Sequence, residues 1–60
     1  MDYLQILKDD FKQIYANWMA VKNDPNYVYY ETFYTYLLGL LDRCGVTGQE
    51  IEQLKMDALN

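Results

Sequence analysis

The apolar residues Leu4, Leu7, Phe11, Ile14, Trp18 and Val21 recur at alternating intervals of three and four. That spacing places them on one stripe of an α-helix and on no common face of a strand. The pattern predicts an amphipathic helix from Met1 to Asn23. Tyr3 and Tyr15 widen its apolar stripe, Gln5, Asp9, Lys12, Gln13, Ala16 and Ala20 form the wet face, and Ile6 lies off the stripe. A helix of this kind must bury its stripe against something, and the remaining chain is short. With 60 residues in all, the chain supports one hydrophobic core and therefore one domain, residues 1–60. A hydrophobic content of 52%, with seven tyrosines, is too rich in core-forming side chains for a disordered segment.

The run Asn23-Asp24-Pro25-Asn26 ends the first helix, since proline lacks an amide hydrogen and its neighbours favour turns. Asp24 is placed to cap a second helix with Pro25 in its first turn. The segment Tyr27 to Tyr36 is rich in strand formers, but a strand needs a partner and no second strand-like run exists. The second element is therefore read as a helix continuing to Cys44. Gly45 supplies the left-handed residue that stops it, and Val46 is placed to fold back over the last turn. Thr47-Gly48-Gln49-Glu50 fits a capping box opening a third helix, whose buried stripe is Ile51, Leu54 and Ala58. The expected fold is all-α, a small three-helix domain of two longer antiparallel helices plus a short C-terminal one.

Several chemistries lack their residues. There is no histidine, which removes histidine acid–base catalysis, Ser-His nucleophiles and histidine metal sites. One cysteine provides neither an intrachain disulfide nor a zinc framework. The adjacent pair Asp9 and Asp10 diverges by about 100° on a helix, as residues one apart must. Glu50 and Glu52 likewise diverge. No glycine-rich phosphate or dinucleotide motif is present. The expectation is a protein that is not an enzyme and uses no cofactor or metal. A formal charge of −4 opposes nucleic-acid and anionic-membrane partners, and no apolar run approaches the ~20 residues that span a bilayer. A lone cysteine and the lack of a signal-peptide pattern are read as a cytoplasmic setting.

The second helix carries the positive information. On a helical wheel Tyr30, Phe33, Leu37, Leu40, Leu41 and Cys44 form the middle of its apolar arc, with Cys44 read as a small buried hydrophobe. Tyr29 and Tyr36 form one flank, and Tyr27, Tyr34 and Leu38 the other. This arc covers more than half the circumference, and two neighbouring helices can cover only part of it. Some tyrosines are therefore expected at the surface, where tyrosine concentrates in binding hot spots. The candidate partner-binding residues are Tyr27, Tyr34, Leu38, Tyr29 and Tyr36, with Asp24, Glu31 and Asp42 steering toward a basic surface on another protein. Trp18, central in the first seam, is assigned to the core.

The run Leu41-Asp42-Arg43-Cys44-Gly45-Val46-Thr47-Gly48-Gln49-Glu50-Ile51-Glu52-Gln53-Leu54 resembles the turn of a helix-turn-helix motif. Gly45 stands at the turn, Val46 beneath it, Thr47 at the cap and Ile51 facing inward. The resemblance implies DNA binding by the third helix. The chain departs from it at Leu41, bulky where that motif has a small residue, and in the would-be reading helix, where Glu50, Glu52 and Asp57 accompany only Lys55. Composition favours a different reading, a protein-interaction module. In size and charge the chain is similar to the small acidic inhibitors by which phages and mobile elements block host nucleases, including anti-CRISPR proteins. The alternative is a helical homodimer that buries its tyrosine faces against a second copy.

Overall fold

A computed structural model describes residues 2–25 and 27–60 of the chain. Met1 and Asn26, placed by the sequence at the start of the first helix and in the break after it, lie outside the described residues. The fold is a small three-helix, all-α domain: α1 spans Tyr3–Val21, α2 Tyr27–Arg43 and α3 Gly48–Leu59. The first helix opens on a cap that its apolar pattern did not reveal. The Asp2 carboxylate accepts from the amides of Leu4 and Gln5 at 3.1 and 3.3 Å, satisfying donors that the first turn leaves without helical partners. After Val21 the chain turns, with the Asp24 amide donating to the Val21 carbonyl and the Tyr27 amide to the Asp24 carbonyl. Because α2 begins at Tyr27, Pro25 stands in the turn before the helix and not in its first turn.

Strand propensity in α2 loses to helix packing. Thr32 and Thr35 donate their hydroxyls to the Val28 and Glu31 carbonyls one turn back, both at 2.9 Å, which gives these β-branched residues a polar role inside a helix. The helix then stops in a Schellman turn. Gly45 has φ 85°, the Val46 amide donates to the Leu41 carbonyl, and the Gly45 amide donates to the Asp42 carbonyl. Val46 is buried directly behind this turn. Thr47 then caps α3, its hydroxyl accepting from the Glu50 amide at 3.2 Å while the Glu50 carboxylate accepts from the same hydroxyl. In the expected capping box that carboxylate would reach a backbone amide; here it meets the threonine side chain.

The assignment of Cys44 to the buried arc is corrected. Cys44 is exposed although its amide still donates to the Leu40 carbonyl, because the helical direction it keeps lies beside that of the exposed Phe33, at the uncovered edge of the arc.

The core is Leu7 and Phe11 from α1, Leu37 and Leu41 from α2, Val46 from the turn and Ile51 from α3. Leu4, Ile14, Tyr34, Leu38, Leu40 and Leu54 pack around it, half-buried. The first helix is the hub, packing against both others, whereas α2 and α3 barely touch each other.

Two glycines make a direct test of this backbone. A side chain at Gly45 forces an L-residue into the left-handed region, so Gly45→Ala is expected to cost about 1–2 kcal/mol. Gly39 lies inside α2, and a Cβ built there meets nothing within 4 Å. Gly39→Ala is therefore expected to gain roughly 0.5–1 kcal/mol of helix propensity. Urea denaturation of the two variants should move the midpoint in opposite directions, and a shift of the same sign in both would contradict the assigned turn.

Candidate interaction surface

The covered and uncovered sides of α2 follow from what α1 can reach. On the covered side Tyr34 enters an aromatic cluster, with its ring centroid 5.5 Å from Phe11, 5.8 Å from Tyr15 and 4.8 Å from Trp18, on which it stacks at 29°. Offset ring pairs at such separations add to the stabilisation from buried area alone. Trp18 is half-buried here, and its indole N–H is buried with no hydrogen-bond partner among the described residues. Lys55 reaches over the cluster from α3, its ammonium 5.7 Å from the Tyr34 centroid and 5.9 Å from that of Tyr15. The same ammonium meets Glu52 at 3.2 Å.

The Tyr34 hydroxyl near its ammonium is the main reason that Lys55 titrates above its ordinary value of 10.5, opposed by partial burial and assisted by Glu52. A folded-state pKa raised above the unfolded one contributes stability that is fully present below the unfolded value. That contribution is lost as pH rises through the folded value. Lys55→Met should therefore destabilise by about 0.5–1 kcal/mol at pH 8, and the gap from the wild type should narrow above pH ~10.5. Thermal melts at pH 8 and pH 11 check this; a gap that widens with alkalinity would contradict it.

On the other side of α2 none of the described residues is laid over the helix. Tyr29, Phe33 and Tyr36 are 65%, 56% and 64% exposed. Intervals of four and three place Tyr29, Phe33 and Tyr36 along one edge of the helix over about 10 Å of rise. Phe33 was expected in the covered middle of the arc. It is exposed because α1 packs toward Leu37, Leu41 and Tyr34, which turns Phe33 to the rim. Between this edge and α1 lies an open cleft of about 330 Å³, with Ile14 and Leu37 at its base, Phe33 and Tyr36 on one wall, and Asp10 and Gln13 on the other.

The candidate residues divide accordingly. Tyr29 and Tyr36 share the exposed edge with Phe33, while Tyr34 and Leu38 pack against the core and Tyr27 is partly exposed at the first turn of α2. Asp24, Glu31 and Asp42 are exposed but spread from the α1–α2 turn to the end of α2. Asp42 and Leu38 line a furrow of about 540 Å³ between α2 and α3, in which Lys55 and Glu52 also lie. Neither Phe33 nor Asp10 is among the residues expected at this surface. Phe33 had a readable signal, since it stands between Tyr29 and Tyr36 at helical spacing. Asp10 had a weaker one, because its position beside the cleft depends on how α1 is rotated against α2.

No group of three or more acidic or cysteine side chains among the described residues is arranged to hold a metal ion, and no helix is long and apolar enough to cross a membrane. Comparison with family models, curated proteins and solved structures finds no match.

Proposed function

We propose that the protein is a non-catalytic protein-interaction module, a small acidic inhibitor or modulator of another protein, which docks through the Tyr29–Phe33–Tyr36 edge of α2. The observation that supports this reading is the exposure of Phe33. A side chain with no polar atom gains nothing from water, and it lies in an apolar strip with two tyrosines. Rigid aromatic side chains on a helix lose little rotamer freedom on binding, while tyrosine hydroxyls keep a polar tip at the rim. The formal charge of −4 selects for a partner with basic character. A DNA-reading role would rest on α3, whose one basic side chain, Lys55, is turned inward onto Glu52 and Tyr34.

The test compares affinity capture from an extract of the source cells by the wild type and by a Phe33→Ser, Tyr36→Ser double variant. The proposal expects a protein held by the wild type and released by the variant while circular dichroism shows both folded. Equal capture by both would remove this edge from the account.

A further inference from the structure

The cleft beside this edge carries an acid that none of the described basic side chains neutralises. The ion pairs among the described residues are Lys8 with Glu50, Lys12 with Asp9 and Lys55 with Glu52, and Asp10 belongs to none of them. No lining residue of the cleft is basic. The two remaining cations stand elsewhere, Lys22 at the C-terminal cap of α1 and Arg43 in the last turn of α2. An exposed carboxylate thus borders an apolar base formed by Ile14 and Leu37. A cation placed at that rim gains Coulomb attraction without the full cost of burying a charge.

We infer that the cleft between α1 and α2 accepts a large apolar side chain from a helix of a partner protein, with a Lys or Arg of that helix pairing with Asp10. The inference rests on the interaction role proposed above and names the chemistry of the partner. A helical occupant follows from the shape of the site. The exposed edge runs parallel to the α2 axis for two turns, so a second helix lying alongside meets it with side chains at i, i+3 or i+4, and i+7. Charge separates this occupant from a second copy of the chain. In a two-fold pair built on the cleft the same lining residues face each other, so Asp10 finds no cation there, and two chains of charge −4 are brought together.

The test is selection of a randomised helical-peptide display library in parallel on the wild type, on Asp10→Lys and on Phe33→Ser. The wild type should enrich peptides with Lys or Arg within one turn of a large apolar residue. Asp10→Lys should enrich Asp or Glu at that position and bind the wild-type peptides roughly tenfold more weakly. Binders that depend on Phe33 but show no charge preference, with Asp10→Lys indifferent, would overturn the inference and leave the interaction role standing. Failure to obtain any Phe33-dependent binder would overturn both.

Discussion

Phe11→Ala is expected to unfold the domain or bring it close to unfolding. Phe11 is completely buried and touches two of the aromatic rings, Tyr15 and Tyr34, that join α1 to α2. Removing such a ring loses its transfer free energy and leaves a cavity, at about 3–5 kcal/mol. A chain of 60 residues has roughly 3–9 kcal/mol of total stability, at ~0.05–0.15 kcal/mol per residue. With six buried core residues among those described, there is little else to absorb the loss. Thermal melting followed by circular dichroism should show Tm lowered by more than about 12 °C, or no folded baseline at all. A drop below about 5 °C would mean that the aromatic cluster is not the joint between α1 and α2.

The Phe33→Ser, Tyr36→Ser double variant is expected to behave in the opposite way, leaving stability nearly intact and abolishing partner binding. Both side chains are more than half exposed, so their truncation removes little buried area. On binding they would be desolvated together at the centre of the docked face, where hot-spot residues are worth about 2 kcal/mol or more each. The expected loss of affinity for the pair, at about 4 kcal/mol, is therefore roughly 700-fold, at about 1.4 kcal/mol per factor of ten. Chemical denaturation and a binding titration on the same preparations separate the two effects. A variant that loses stability in step with binding would show that Phe33 and Tyr36 serve the fold.

The contrast between Phe11 and Phe33 also explains how far the residues alone could be read. The seam of α1, the Gly45 stop, the fold-back of Val46 and the Thr47 cap each rest on interactions within a few residues, and local chemistry determines them. The arc of α2 is different. It is apolar around more than half its circumference, and which part is covered depends on the rotation of α1 and α3 against it, a tertiary quantity that one helix does not encode. Tyr34 went into the core on a stack with Trp18, while Phe33, with the stronger hydrophobic character, went to the rim. Cys44 shows the same boundary at smaller scale, since it keeps its helical direction, with its amide on the Leu40 carbonyl, and is exposed all the same. Asp10 became a candidate only when the cleft placed it opposite Phe33 and Tyr36.

The claim that the exposed edge of α2 is a docking face for a foreign protein is tested most directly by photo-crosslinking from within it. A benzophenone amino acid at position 36, in protein expressed in its native cells, should on illumination join the chain to one different protein. The same probe at Gln53, exposed on α3, should not. Adducts only between copies of this chain, or the same adduct from both positions, would contradict the account.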